Sequence, residues 1–289
     1  MELAVQRYPN AKNTDPQSGS KLDRHEKLLF LHGMGGTGAI WRPIAANLEN
    51  EFDILAPDQR GHGASQIPHV SGARTSVGYT PLDYGKDLVD TLGKLAFYPT
   101  WVIGHSMGVR SACALAHLKP DWVKGLVLID LGFSGAAGGG LGDGLAQFLR
   151  KLPTRFSSRA EARDFMSREC PDPSIAQYLM AVSMPDPSTV PAGMRFPFDH
   201  SALIQTIEAA RDSSVSEWVR EMGEAGKPIL VLRGKKSLVW SHEEFLAEQT
   251  RFAKYPSITF EEMEGTGHGL PFEKRIEFIA RLRTFVQKS

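Results

Sequence analysis

Gly104-His105-Ser106-Met107-Gly108 stands between an apolar run, "TWVI", and a helical run, "VRSACALAHL". A serine in G-x-S-x-G at a strand-to-helix junction marks a nucleophile elbow. The turn is so sharp that small residues must flank it, and the hydroxyl is left exposed above the sheet. A helix then begins beneath the serine, with free backbone N–H groups in its first turn. The five-residue pattern is weak by itself. Its place between a strand and a helix is what constrains the chain, because it demands a parallel α/β sheet around it.

The rest of the chain supplies that sheet. "LAVQRY" (3–8), "KLLFLHG", "FDILAPD", "TWVIGHS", "GLVLID", "KPILVLRG" (227–234) and "SITFEEMEG" (257–265) read as strands. "AIWRPIAANLE", "MGVRSACALAHLK" and the amphipathic "PFEKRIEFIARLRTFVQ" read as helices, by apolar residues at helical spacing. Thr80-Pro81-Leu82-Asp83 opens another helix, with Thr80 as N-cap and Pro81 in its first turn. Strands alternating with helices imply right-handed crossovers and a mainly parallel central sheet with helices on both faces. One block breaks the alternation. From Phe133 to Ser214 there are Gly/Pro-rich joints and helical pieces but no convincing buried strand. The expected organisation is a core of residues 1–132 and 215–289, with 133–214 inserted as a helical cap. Within it, "SGAAGGGLGDG" (134–144) reads as a mobile linker, and no Gly-Lys-Ser/Thr follows to make it a P-loop.

A second glycine pattern competes for attention. In "LLFLHGMGGTGAIW", Gly33, Gly35 and Gly38 spell G-x-G-x-x-G after a strand, and Asp58 closes the next strand, as in a dinucleotide-binding loop. His32 has no role in such a loop. The dinucleotide match is therefore read as coincidental, and Asp58 as a residue that fixes a loop near the site.

A serine hydroxyl needs a base. In the chain order Ser, acid, His, the base comes after the last strand. His268, in Gly267-His268-Gly269, holds that place. His32, His62 and His105 occupy other motif positions. His25, His69, His117, His200 and His242 lie in polar segments or helix ends and read as ordinary.

Taken together, "FLHGMGG", "DQRGHGAS", "VIGHSMGV" and "GTGHGLPFEKR" resemble the α/β-hydrolase superfamily over nearly the whole chain, the cap being only loosely matched. The resemblance implies an α/β-hydrolase fold. It also implies an oxyanion hole formed by the backbone N–H groups of Met34 and Met107, often the largest single catalytic contribution. One departure stands out. Such enzymes usually carry the triad acid just after the strand they count as the seventh, and there this chain reads Arg233-Gly234-Lys235-Lys236-Ser237. A hydroxyl cannot stabilise an imidazolium as a carboxylate does. Asp130, at the end of "GLVLID", is similar to the acid of a subgroup that includes some bacterial esterases. In that subgroup an Asp follows strand six and Arg-Gly-x-x-Ser follows strand seven. Asp130 is therefore the expected acid and Ser237 a possible supporting residue. Glu243 and Glu244 are the alternatives, in a helix-like run that reads as solvated.

Composition narrows the rest. Lys+Arg and Asp+Glu are each 33, so the net charge is zero and no basic run points to nucleic acid. Two cysteines, Cys113 in an apolar helical pattern and Cys170, make neither a disulfide framework nor a zinc site. No signal-peptide pattern opens the chain, and no apolar run is long enough to span a membrane. A cytoplasmic protein is expected, monomer or homodimer. The expected function is hydrolysis of a small-molecule carboxylic ester with a short to medium acyl chain, through an acyl-enzyme and with no cofactor or metal. His32, Gly33, Met34, His105, Met107, Phe133 and Leu270 are expected at the pocket, joined by Met184, Met194 and Phe196 of the cap. The alternatives are C–C, lactone, amide or thioester hydrolysis or perhydrolysis on the same triad, or a non-catalytic ligand-binding relative.

Overall fold

Apolar residues on both faces of each central strand explain how the sheet is built. In β2 (Lys27–Leu31), Leu28 and Phe30 face one core while Leu29 and Leu31 face the other. In β5 (Gly125–Ile129), Leu126 and Leu128 divide from Val127 and Ile129 in the same way. Strands buried on both sides read as continuous apolar runs and form parallel sheets covered by helices. A computed structural model describes residues 1–8, 26–66, 78–133, 142–189, 191–209 and 214–288. His25, His69 and most of the expected linker (134–141) lie outside the described residues.

With β1 (Val5–Tyr8), β3 (Asp53–Pro57), β4 (Trp101–His105), β9 (Ile229–Gly234) and β10 (Ile258–Met263), the sheet has seven strands in the order β1-β3-β2-β4-β5-β9-β10. Only β1 runs antiparallel, against β3. This is an α/β-hydrolase fold, with β4 near the centre. The helix α2 (Pro81–Lys94) begins at Thr80 with a reciprocal capping box to Asp83. It packs beside α3 (Met107–Leu118) on one face, along with α8 (Val215–Glu224) and α9 (His242–Phe252). On the other face lie Trp41, Ile44 and Leu48, with Phe278, Ile279 and Leu282 of α11 (Arg275–Lys288).

Two helices are shorter than their periodicity suggests. "AIWRPIAANLE" is a 3-10 turn (Gly38–Trp41) followed by a single turn of α1 (Arg42–Ala45). Beyond it the bonds tighten to three-residue spacing, such as Leu48 N–H to Ala45 C=O at 2.8 Å. Ile44 and Leu48 are buried all the same. The C-terminal run divides into α10 (Leu270–Glu273) and α11 at Lys274, which is not helical.

Between β5 and β9 lie α4 (Gly142–Lys151), α5 (Arg159–Glu169), α6 (Pro173–Val182) and α7 (His200–Ala209). The expectation of no strand here needs correction. Arg155–Phe156 (β6), Met184–Asp186 (β7) and Gly193–Arg195 (β8) form a small antiparallel sheet in the order β6-β8-β7. Strands of two or three residues are too short for alternation to reveal, and Pro185 and Gly193 argue against strand on propensity. Met194, within β8, and Phe196, just after it, are buried, and Phe196 meets Phe156 edge-on and stacks on Phe198.

Candidate active site

The strand β4 delivers Ser106 to the sheet's C-terminal edge, and α3 departs at once. Ser106 takes φ +53° and ψ −121°, a region that costs a non-glycine residue on the order of 1–3 kcal/mol. Close approach explains the two glycines. A Cβ on Gly104 would lie 2.3 Å from the Gly108 carbonyl oxygen, and one on Gly108 would lie 2.4 Å from that of Leu31. Met107 is the first residue of α3, so its N–H belongs to the set that no helix can satisfy internally.

Three side chains then form a continuous line. His268 Nε2 lies 3.0 Å from Ser106 Oγ, and His268 Nδ1 lies 2.8 Å from Asp130 Oδ2. Asp130 is fully buried at the end of β5, also at positive φ (+54°). Its carboxylate takes two further donors: Gly234 N–H to Oδ1 at 2.8 Å, and Ser237 O–H to Oδ2 at 2.5 Å. Arg233 holds the loop that presents Ser237, donating to the carbonyls of Trp240 (2.8 Å) and Ser237 (3.1 Å). Glu243 and Glu244 lie at the start of α9, where Glu244 closes a capping box with Ser241.

The loop that bears His268 is gripped on every side. Glu273 accepts from the N–H groups of Gly267 and Gly269, at 2.8 and 3.0 Å. His105 Nε2–H donates to the His268 carbonyl at 2.8 Å, and Ser174 Oγ accepts from the His268 N–H at 3.2 Å. Burial, with His268 adding to it, lowers the His105 pKa to about 3. The ring is neutral, its proton is on Nε2, and Nδ1 has no partner among the described residues.

The glycine-rich loop after β2 is equally fixed, and its bonding excludes the dinucleotide reading. Gly35 N–H donates to His62 Nε2 (3.0 Å), Gly36 N–H to the Gly33 carbonyl (3.0 Å) and Gly38 N–H to Asp58 Oδ1 (2.7 Å). A pyrophosphate would need those N–H groups, and a helix N-terminus beneath them. They are taken, and a 3-10 turn follows. Asp58 also accepts from Ala64 N–H, joining two loops, as its position suggested. His32 is buried and ties the same loops together. Its Nδ1–H donates to the Gly33 carbonyl (2.8 Å), and its Nε2 accepts from Gln59 N–H (2.9 Å). Burial lowers its pKa to about 4, and that of His62 to about 3, so both rings are neutral clamps.

A cavity of about 30 Å³ opens beside Ser106. Gly33, Met34, His105 and His268 line it from the core, and Leu145, Leu149, Ile175, Tyr178, Leu179 and Leu203 from the insertion. Several expected pocket residues are elsewhere. Phe133 is fully buried against Trp240, Phe252 and Phe260, its N–H on Glu248 Oε1. Leu270 is fully buried in the core on the other side of the sheet. Met107, Met184, Met194, Phe196 and His32 do not line the cavity either, the last because both its ring nitrogens hold backbone. Six lining residues were missed: Leu145, Leu149, Leu203 and the trio Ile175, Tyr178 and Leu179, which stand at i, i+3 and i+4 on α6. That stripe was legible in the sequence, but what it faces was not.

Residues 28–282 match the sequence profile described as the Alpha/beta hydrolase family. The chain belongs to this family. Among curated relatives, the 2-(acetamidomethylene)succinate hydrolase of Mesorhizobium japonicum is 29% identical over 211 residues, covering 73% of this hydrolase and 70% of that one. Protein ABHD8 of Homo sapiens is 36% identical over 106 residues, 36% of this chain and 23% of its own. Among solved structures, E-2-(acetamidomethylene)succinate hydrolase superposes with a TM-score of 0.74 at 23% identity, over 99% of this chain and 95% of that one. A marine microorganism esterase gives 0.72 at 20% identity, over 99% of both chains. At these identities the likeness is one of fold. Among the described residues no cluster of His, Cys, Asp or Glu is arranged to hold a metal ion, and no helix is long and apolar enough to cross a membrane.

Proposed function

We propose that this hydrolase cleaves carboxylic esters with short, uncharged acyl groups. The line from Ser106 Oγ through His268 to Asp130, ending at an apolar cavity, carries this reading. His268 Nε2 takes the Ser106 proton as Oγ attacks the acyl carbonyl. The N–H groups of Met34 and Met107 receive the oxyanion. His268 returns the proton to the leaving alcohol, and then activates the water that releases the acid from the acyl-enzyme. Asp130 holds the imidazole in its working tautomer and stabilises its charged form, with Ser237 and Gly234 fixing the carboxylate. Helices α4, α6 and α7 of the insertion, which line the cavity, act as the cap over the acyl group.

The lining supports the substrate class. Its polar side chains among the described residues are Ser106, His105, His268 and Tyr178, and no Lys or Arg is among the described lining residues. The cavity is small, about 30 Å³, and mostly apolar, which favours a short acyl group. A succinate-type acyl group would bury a carboxylate with no cationic partner among the described lining residues, which is strongly unfavourable.

The Mesorhizobium relative, by its name, acts on an acetamido compound, so amide cleavage on the same residues is the second reading. A panel of p-nitrophenyl acetate, butyrate, octanoate and hemisuccinate, with p-nitroacetanilide as the amide, tests both. The proposal expects acetate and butyrate to lead, with hemisuccinate poor. Turnover confined to the anilide would favour the amide reading, and preference for hemisuccinate would overturn the substrate class.

A further inference from the structure

Helix α6 of the insertion reaches the catalytic histidine directly. Asp172, itself buried, caps α6 by accepting from Ser174 N–H (2.7 Å) and Ile175 N–H (3.1 Å). The same carboxylate oxygen receives the Ser174 hydroxyl proton. A carboxylate only accepts, so the hydroxyl points its hydrogen at Asp172 and turns a lone pair outward. That lone pair accepts the His268 backbone N–H at 3.2 Å. Gly267 makes room, since a Cβ there would sit 3.1 Å from Ser174 Oγ. One turn further along α6, the Tyr178 hydroxyl donates to the Gly33 carbonyl, in the loop that carries Met34, at 3.3 Å, and Leu179 packs against Gly35.

We propose that Ser174 is a positioning residue for His268, and that α6 couples the substrate pocket to the base. This rests on the reading of His268 as general base. The His268 main chain has two polar groups, and two different bodies hold them: His105 of the elbow takes the carbonyl, and Ser174 of the insertion takes the N–H. The imidazole hangs between Ser106 and Asp130 from that backbone. An error of a fraction of an ångström in its placement weakens both bonds at once. Ile175, Tyr178 and Leu179 on the same helix line the cavity, so an acyl group seated there bears on the helix that anchors the base.

The test compares Ser174→Ala with Ser174→Thr, which keeps the hydroxyl. Three readings are taken: kcat and KM for p-nitrophenyl acetate, the rate of Ser106 phosphonylation, and the low-field proton NMR signal of His268 Nδ1–H. The proposal expects Ser174→Ala to lower kcat and phosphonylation about tenfold with KM within about twofold, to broaden the His268 signal, and to be rescued by Thr. An unchanged kcat, or a loss confined to KM, with a sharp His268 signal would overturn it. If the wild type neither hydrolyses esters nor is phosphonylated, the functional reading fails. The NMR comparison of wild type with Ser174→Ala still decides whether Ser174 places the histidine: a broadened signal supports it, and an unchanged one refutes it.

Discussion

His105 donates its Nε2–H to the backbone carbonyl of His268 across 2.8 Å, so the residue before Ser106 holds the loop that brings His268 to Ser106. The motif thus joins the two ends of the site in the fold as well as in the sequence. Replacing His105 by Leu leaves that carbonyl buried and unpaired, at a cost of about 1–3 kcal/mol. Thermal unfolding should show Tm lowered by roughly 2–4 °C per kcal/mol for a chain of this size, together with slower ester turnover. A Tm equal to the wild type's would mean that the bond contributes nothing.

The placement of the acid is tested by two substitutions. Asp130→Asn should lower kcat by about 10³- to 10⁴-fold, as loss of the orienting carboxylate does in a Ser-His-Asp triad. Ser237→Ala removes one of three donors to that carboxylate and should lower kcat only about tenfold. The reverse order of effects would place the essential role at Ser237.

Ser106 sits at φ +53°, where a Cβ is unfavourable and glycine is not. Ser106→Gly should therefore unfold at a higher temperature than Ser106→Ala, by the equivalent of about 1 kcal/mol, both variants being inactive. Calorimetry showing Ala to be the more stable of the two would argue that the elbow is not strained.

His32, His62 and His105 should make the protein acid-labile. Burial holds their folded pKa values at about 4, 3 and 3, below the ordinary 6.5, so on acidification the unfolded chain takes up these protons first. Their contribution is intact above pH about 6.5 and is lost progressively below it, at about 2 kcal/mol for each histidine by pH 5. The groups facing them do not alter the sign: His32 and His62 face each other at 5.0 Å between ring centroids, and His105 faces His268 at 4.9 Å. Urea unfolding at pH 8 and pH 5 measures the difference, and equal midpoints would contradict it.

Much of this arrangement was legible in the residues. The apolar runs of β2, β4 and β5, the Thr80 cap and the glycines of the elbow are local signals, and each acts locally in the fold. Asp130 was legible for a different reason: it closes a strand and is similar to the acid of a known subgroup, and in the fold that strand pairs with the one that carries Ser106, which brings it to His268. Only the core side of the pocket, where Gly33, Met34 and His105 stand, was legible; the insertion's side was not. Phe133 and Leu270 look like pocket residues because they flank motif positions, yet an apolar residue one or two places from a site can as easily turn into either core. The reach of α6 to His268 spans 94 positions in sequence, and no local pattern encodes it. The short strands β6, β7 and β8 escaped because two or three residues carry no period.

The most direct measurement is the intact mass and peptide map of the protein after a fluorophosphonate, for the wild type, Ser106→Ala and His268→Ala. The account predicts a single adduct on Ser106 in the wild type, none in Ser106→Ala, and labelling slowed by orders of magnitude in His268→Ala. No adduct on the folded wild type, or an adduct that persists in Ser106→Ala, would contradict it.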